Sequence, residues 1–165
     1  MLGKGVALGG FMGVGKTTVG RLLASTLDWP FADLDDELER RFGAIPEQWA
    51  LVGEAGFRLR EREVLRDFCD GHRRVFATGG GTWISAENRA LLADAYERCV
   101  LQASIETIRI RINASGSRPL LHRWEALWQE RERAYSDADF FVFAEVEPAV
   151  VVDRIVAAIR KRGLV

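Results

Sequence analysis

Residues 10–17 read GFMGVGKT and combine the groups that bind polyphosphate in many nucleotide-binding proteins. A glycine, four residues, a second glycine, a lysine and a hydroxyl residue form the pattern of a phosphate-binding loop. In such a loop, backbone N–H groups surround phosphate oxygens, the lysine reaches the β- and γ-phosphates, and the hydroxyl ligates Mg²⁺. We therefore predict that Lys16 contacts phosphate and that Thr17 is a ligand of Mg²⁺.

Two aspartates at the end of a second apolar run, Asp33 and Asp35, could supply the acidic groups that phosphoryl transfer requires. They are two residues apart, so in an extended chain their side chains point to the same side, near Thr17. One carboxylate could then serve the Mg²⁺ shell while the other orients or deprotonates a substrate hydroxyl. The alternative is structural, because the same residues could form a capping cluster for a helix that begins near Asp36.

Two further patterns could bind the molecule that receives the phosphoryl group. Gly79, Gly80 and Gly81 follow the third apolar run directly, and their lack of side chains lets a ligand approach backbone N–H groups. Arg58 precedes Glu61 by three residues on a predicted helix, an arrangement that could hold the guanidinium as a fork for a carboxylate. A tight turn and a surface ion pair are the structural alternatives.

Short apolar runs alternate with helical patterns along the chain, and these elements must position the groups above. We predict strands at 5–8, 31–34, 74–77, 99–102 and 140–143. We predict helices at 16–27, 36–42, 46–52, 54–69, 85–96, 105–112, 124–135 and 148–160. The alternation predicts an α/β fold in which helices cover both faces of a parallel sheet. Right-handed crossovers then place ligands at the carboxyl ends of the strands.

One small, polar stretch, residues 113–119, breaks this alternation between two helical segments. A mobile lid would fit such a stretch, because phosphoryl transfer requires that water be excluded during the reaction. An ordinary connecting loop is the alternative.

Size and charge narrow the possible functions. The chain has 165 residues, 48% of them hydrophobic, which predicts one globular domain with a sizeable core. A net charge of −1 gives no electrostatic reason to expect nucleic acid or an anionic membrane as a main partner. Cys69 and Cys99 follow no metal or redox spacing, and neither a signal peptide nor a membrane-spanning run is visible. We therefore expect a cytoplasmic protein with reduced thiols.

The motifs occur together in an order that is typical of one family. The sequence contains GGFMGVGKTTVG at 9–20, DLD at 33–35, IPE at 45–47, GE at 53–54, FR at 57–58, Glu61, GGG at 79–81, RPLL at 118–121 and Arg131 four residues before Tyr135. With these motifs the chain resembles the shikimate kinases, small ATP-dependent kinases of aromatic amino-acid biosynthesis. The resemblance covers nearly the whole chain. It implies a single domain over 1–165 with the three-layer α/β/α P-loop kinase fold, a parallel five-stranded sheet and a mobile lid at about 112–124.

The resemblance implies roles for the residues that face the acceptor. Asp35 would bind the attacking shikimate hydroxyl and act as its base. Arg58 and Arg131 would clamp the shikimate carboxylate, with Glu61 orienting Arg58. Gly79, Gly80 and Gly81 would line the same pocket.

The resemblance also implies roles on the nucleotide side. ATP would be bound by Gly13, Val14, Gly15, Lys16, Thr17, Thr18, Arg111 and Arg118. Of these, Lys16 and the lid residue Arg118 would stabilise charge on the transferring phosphoryl group, and Arg111 would lie against the adenine. Thr17 would ligate Mg²⁺, and Asp33 would act through the water shell of the ion.

The implied activity is Mg²⁺-dependent transfer of the γ-phosphoryl group of ATP to the 3-hydroxyl of shikimate, in a monomer whose partners are these small molecules. A gluconate kinase is the alternative within the same enzyme class. A regulatory nucleotide-binding module is the alternative outside it, and it predicts the loss of Lys16, Asp35 or the acceptor arginines, all of which are present. Trp49 and Trp83 stand where the family usually has other residues, which leaves the shape of the acceptor pocket and its preference open.

Overall fold

A computed structural model of the chain describes residues 3–114 and 124–165. The strands are β1 (Gly5–Gly10), β2 (Phe31–Asp33), β3 (Val75–Ala77), β4 (Tyr96–Gln102) and β5 (Phe140–Phe143). The α-helices are α1 (Lys16–Leu27), α2 (Leu34–Phe42), α3 (Ile45–Phe68), α4 (Ala86–Ala95), α5 (Ile105–Ala114), α6 (Trp124–Tyr135) and α7 (Pro148–Lys161). A single 3-10 turn, Thr82–Ile84, lies between β3 and α4.

The described strands form one parallel sheet in the order β2-β3-β1-β4-β5. At its centre Leu8 of β1 pairs with Ala77 of β3 and with Cys99 of β4. Because all strands run in the same direction, their carboxyl ends lie along one edge, where β1, β2 and β3 lead into the predicted functional segments. The predicted α/β class and parallel five-stranded sheet are confirmed.

The sheet is buried on both faces, which is why its central strand is apolar throughout. Val6 and Leu8 pack into a core that contains residues of α1 and α7. Ala7, between them in sequence, packs into a second core that contains residues of α2, α3, α4 and α6. The alternation of side chains along one strand therefore builds a three-layer arrangement of helix, sheet and helix.

Strand β4 begins three residues earlier than we predicted, at Tyr96 rather than at position 99. The charged residues Glu97 and Arg98 hide this part of the strand from a search for apolar runs. Their backbone nevertheless pairs with β1, and the Arg98 Nη2 atom forms an ion pair of 3.1 Å with Oδ1 of Asp139. The preceding helix accordingly ends at Ala95 instead of 96.

Helix α3 contains a break that corresponds to the two helices predicted at 46–52 and 54–69. Gly53 has φ 67° and ψ −178°, a combination that only glycine adopts without strain. The break separates a short first half, which contains Trp49, from a long second half, which contains Arg58 and Glu61. Both halves contribute to the cleft described below.

Two further sequence predictions concern the mobile lid and membrane-spanning segments. Most of the predicted lid at 112–124, including Arg118, lies outside the described residues. Within the described ranges, no helix combines the length and the hydropathy needed to cross a lipid bilayer.

Candidate active site

The loop between β1 and α1 has the backbone conformation that its glycines permit. Gly13 and Gly15 adopt φ values of 79° and 104°, in the left-handed region that favours glycine. Gly15 directly precedes α1 and offers no side chain to cap the first N–H groups of the helix. These groups and the positive end of the helix dipole therefore remain available to an anion.

Lys16 extends along the inner side of this loop. Its Nζ donates hydrogen bonds to the carbonyl oxygens of Gly10 at 2.7 Å and of Phe11 at 3.2 Å. The ammonium group is thus held beside the loop backbone, at the place where the sequence pattern predicts phosphate. One positive charge and the N-terminus of α1 are therefore directed toward the same region.

Asp33 joins the phosphate loop to the second strand. Its Oδ2 accepts a hydrogen bond of 2.7 Å from the Thr17 hydroxyl, and its Oδ1 accepts one of 3.0 Å from the backbone N–H of Asp35. The second contact makes Asp33 the N-cap of α2. One oxygen of this carboxylate therefore caps α2 while the other bonds Thr17, so the capping alternative and a role beside Thr17 are compatible.

The helix after β2 begins at Leu34, not near Asp36 as we predicted. Asp35 consequently lies in the first helical turn, so the argument from an extended chain does not apply to it. Asp33 faces Thr17, whereas Asp35 lines the neighbouring cleft. The two carboxylates are close in sequence but have different surroundings.

The pair of oxygens from Thr17 and Asp33 fits Mg²⁺, which prefers oxygen ligands and retains several waters. Within residues 3–114 and 124–165, no cluster of three or more acidic, histidine or cysteine side chains could hold a metal ion. A protein cage that surrounds the ion is therefore not available in this part of the chain. The residues suit an ion that shares its coordination with water and phosphate.

A cleft of about 410 Å³ opens beside the phosphate loop. All six residues that we predicted to bind the acceptor line it: Asp35, Arg58, Gly79, Gly80, Gly81 and Arg131. They come from α2, α3, the segment after β3 and α6. Met12, Trp49, Phe57 and Glu61 are among the other lining residues, which makes the wall partly apolar.

Arg58 is fixed by a carboxylate on its own helix. Its Nη1 lies 3.1 Å and 3.0 Å from Oε1 and Oε2 of Glu61, which is 1% exposed. Glu61 also accepts a hydrogen bond of 2.8 Å from the Thr82 hydroxyl. The guanidinium carbon of Arg58 lies 5.5 Å and 5.7 Å from the ring centroids of Phe57 and Trp49. Because Glu61 is buried and bonded twice, the interpretation as an ordinary surface ion pair is wrong.

Arg131 is a second cation of the cleft, contributed by α6, and it is buried. It is 3% exposed, and burial lowers the pKa of its guanidinium. In the part of the chain that the structure describes, no carboxylate lies within 4 Å of it, and its Nε has no hydrogen-bond partner. A charge buried in this way is costly unless an anion accompanies it. The cleft is therefore suited to a negatively charged ligand.

The three glycines give the charged side chains room. A Cβ atom on Gly80 would lie 2.5 Å from Nη1 of Arg131, and one on Gly81 would overlap the Arg58 guanidinium. A Cβ atom on Gly79 would lie 3.1 Å from a carboxylate oxygen of Asp35. None of the three has a positive φ, so these glycines provide space for the charged side chains in their present positions and not a special backbone conformation. This is a more specific reason than the tight turn considered above.

Five of the eight predicted nucleotide residues line another cleft, of about 370 Å³. These are Gly13, Val14, Gly15, Thr18 and Arg111, and the segment after β5 adds Ala144, Val146, Glu147 and Pro148. Nη1 of Arg111 donates to the carbonyl oxygens of Val14 at 3.2 Å and Gly13 at 3.4 Å. Arg111 is therefore tied to the loop that binds phosphate. Arg118 lies outside the described residues.

Sequence reasoning missed the contacts of two supporting residues and left the place of Trp83 open. Thr82 bonds Glu61, and the Tyr135 hydroxyl donates to the carbonyl oxygen of Gly80 at 3.0 Å. The position of Tyr135, four residues after Arg131 on one helix, was the available signal for its role. Trp83 does not line the acceptor cleft; it is fully buried, and its indole N–H donates to the Thr78 hydroxyl at 2.8 Å. Of the two tryptophans that left the shape of the pocket open, Trp49 therefore lines the cleft and Trp83 does not.

Comparison with known proteins places these features in one family. A family model described as "Shikimate kinase" matches residues 12–160. A shikimate kinase of Burkholderia pseudomallei (strain K96243) is 38% identical over 94% of this chain and 90% of its own length. One from Methylococcus capsulatus is 41% identical over 97% of this chain and 94% of its own length.

Solved structures agree with the sequence relatives. Shikimate kinase from Acinetobacter baumannii in complex with shikimate matches with a TM-score of 0.91 and 33% identity, over 99% of this chain and 96% of that one. The enzyme from Aquifex aeolicus matches with a TM-score of 0.87 and 36% identity, over 96% and 98% of the two chains. A gluconokinase from Sinorhizobium meliloti matches with a TM-score of 0.64 but 14% identity, over 97% and 93%, and so shares the fold alone.

The two carboxylates beside Arg58 allow a matched test of burial. We expect Glu61→Gln to lower the free energy of unfolding by about 2–3 kcal/mol, because it leaves the guanidinium without its buried partner. Glu54→Gln removes an exposed carboxylate 4.0 Å from Arg58 and should cost less than about 1 kcal/mol. Urea denaturation of both variants measures the difference, and equal losses would show that the Glu61 pair contributes no more than a surface contact.

Proposed function

The chain belongs to the shikimate kinase family, and from this we propose that it transfers the γ-phosphoryl group of ATP to the 3-hydroxyl of shikimate, releasing ADP and shikimate 3-phosphate. It is a phosphotransferase with an alcohol group as acceptor. The observation that carries the proposal is the pair of guanidinium groups, Arg58 and Arg131, in one cleft beside a phosphate loop. Such a cleft suits an acceptor that is both an anion and an alcohol.

The two arginines would bind the carboxylate of the acceptor. A guanidinium presents a planar fork that matches a carboxylate, and Glu61 holds the fork of Arg58 in a fixed direction. An uncharged polyol would leave the buried Arg131 without a counter-ion, which costs roughly 2–5 kcal/mol in comparable complexes. The two arginines therefore select for an acceptor that carries a negative charge, whatever the arrangement of its hydroxyl groups.

Asp35 would bind the hydroxyl that attacks ATP. Its carboxylate lies on the cleft wall next to Gly79, two residues along the chain from the aspartate that bonds Thr17. A carboxylate here can orient the hydroxyl and accept its proton as the new P–O bond forms. The remaining catalysis is positioning, since the reacting oxygens must lie in line with the γ-phosphorus.

ATP would occupy the cleft that Arg111 lines, with its phosphates on the loop at 10–17. We propose that Gly13, Val14, Gly15, Lys16, Thr17 and Thr18 bind the phosphates and that Arg111 lies against the adenine. Thr17 would ligate Mg²⁺ directly and Asp33 through water, and the bound ion would neutralise charge that develops on the phosphates. Arg118 would add a second cation from a lid at 112–124.

Further parts of the proposal concern the setting of the enzyme. We propose a single domain over 1–165 that works as a monomer in the cytoplasm, in the synthesis of chorismate and the aromatic amino acids. Cys69 and Cys99 are both free, in keeping with a reducing compartment. The net charge of −1 is consistent with small-molecule partners and gives no electrostatic reason to propose nucleic acid as a main partner.

The direct test is consumption of ATP by the purified protein with Mg²⁺, measured with shikimate, with gluconate and without an acceptor. We expect turnover that depends on shikimate, because its carboxylate and ring hydroxyl groups match the two sides of the cleft. Gluconate shares the charge but is a flexible chain, so it controls for a general hydroxy-acid kinase. Turnover with gluconate alone, or none with either acceptor, would contradict the proposal.

The role of Asp35 can be separated from that of its neighbour. Asp35→Asn should lower kcat by at least about a hundredfold, while the KM for ATP changes little, because only the group that handles the hydroxyl is lost. Asp36→Asn is the matched control, since Asp36 is exposed and pairs with Arg21 at 3.2 Å. A kcat near that of the wild type in Asp35→Asn would remove Asp35 from this role.

The carboxylate clamp predicts a change in acceptor binding. Arg58→Ala should raise the KM for shikimate by about tenfold or more, because a bidentate charged contact is removed. Arg66→Ala, an exposed arginine further along α3, should leave it unchanged. Steady-state kinetics with varied shikimate at saturating ATP measure this effect, and an unchanged KM in Arg58→Ala would rule out the clamp.

A further inference from the structure

The ring of Phe11, in the phosphate loop, is held between two residues of α6. Its centroid lies 5.2 Å from that of Trp128, in an edge-on arrangement with an interplanar angle of 62°. The guanidinium carbon of Arg131 lies over the same ring, 5.3 Å from its centroid. Trp128 and Arg131 are three residues apart and so share one side of the helix. Phe11 is 3% exposed, so this contact is shielded from water.

This contact matters for Arg131 because the described residues hold its guanidinium in few other ways. Arg58 has Glu61 as an ion-pair partner, but Arg131 has no carboxylate within 4 Å in residues 3–114 and 124–165. Its Nη1 lies close to Gly80, where there is space but no side chain. Attraction between a cation and an aromatic face is strongest where both are removed from water, as they are here.

We propose that Phe11 is a positioning residue for the acceptor: its ring holds the Arg131 guanidinium in the direction from which it meets the acceptor carboxylate. The inference rests on the proposed function, and it assigns a role that the phosphate-loop pattern does not contain. The pattern requires only glycines, lysine and a hydroxyl residue, and position 11 is one of its unrestricted positions.

The backbone of Phe11 contacts Lys16, which we propose binds the phosphates of ATP. The carbonyl oxygen of Phe11 accepts a hydrogen bond from Lys16 Nζ at 3.2 Å, while its ring contacts Arg131. One residue thus contacts a phosphate-binding cation through its backbone and an acceptor-binding cation through its side chain. A change of side chain leaves the carbonyl in place, so the two contacts can be tested separately.

The test is Phe11→Leu, which keeps an apolar side chain but removes the aromatic face. We expect the KM for shikimate to rise about tenfold and the KM for ATP to change less than about twofold. Phe11→Tyr keeps the aromatic face and should restore a KM for shikimate near that of the wild type. An acceptor effect from a substitution in the nucleotide loop is not expected of a residue that merely supports the loop fold.

A double-mutant cycle shows whether Phe11 acts through Arg131. In an Arg131→Met background, Phe11→Leu should cause no further rise in the KM for shikimate, because the cation that it positions is absent. If Phe11→Leu leaves the KM for shikimate unchanged, raises both KM values equally, or adds its full effect to that of Arg131→Met, the inference is wrong.

A second variant tests the inference even if Phe11→Leu folds poorly. A fluorinated phenylalanine at position 11 keeps the shape of the ring but withdraws electron density from its face, so the KM for shikimate should rise with the degree of fluorination. No trend would overturn the inference. Wild-type turnover separates the two proposals: without shikimate-dependent turnover the proposed function fails, whereas normal turnover with an insensitive position 11 contradicts only this inference.

Discussion

The carboxylate of Asp33 is the contact on which the arrangement of the site depends. One oxygen holds the Thr17 hydroxyl at the start of α1, and the other caps α2, which begins one residue later. The same group therefore fixes the distance between the phosphate loop and the helix that contains Asp35. Two oxygens of one side chain connect the side of the site proposed to bind nucleotide to the side proposed to bind the acceptor. Any displacement of β2 would be transmitted to both.

The rest of the site follows from where the parallel strands end. β1 leads into the phosphate loop, β2 into Asp33, and β3 into the glycines at 79–81, all at one edge of the sheet. The helices then bring Arg58 and Arg131 to this edge from the side of the sheet that α3 and α6 cover. Both guanidinium groups lie close to the backbone of Gly80 and Gly81, at positions that a Cβ atom on these residues would crowd. Sheet topology thus brings the segments of the site together, and the glycines at 79–81 leave room for the charged side chains between them.

The sequence was sufficient to predict the fold class, the parallel sheet and the family, because apolar periodicity and spaced motifs are local properties. It failed where pairing between distant segments decided the outcome. The start of β4 has a charged sequence and is a strand only because β1 lies beside it and Asp139 pairs with Arg98. Likewise, no local rule shows that Trp83 turns away from the cleft to bond Thr78, or that Glu61 is buried by Thr82. The predicted roles of individual residues remain predictions, although the structure brings those of the acceptor set around one cleft.

The break at Gly53 divides the contribution of α3 to the cleft between two stretches of sequence. The half of α3 before the break supplies Ile45, Pro46 and Trp49 to the wall, while the half after it supplies Phe57 and the charged residues Arg58 and Glu61. Because the helix axis does not continue through Gly53, the shape of the wall and the geometry of the charge pair are encoded by separate stretches of sequence. The two stretches still meet in the cleft, because the Trp49 ring lies 5.3 Å from that of Phe57 and 5.7 Å from the Arg58 guanidinium, so a change of the wall before Gly53 also reaches the charge pair after it.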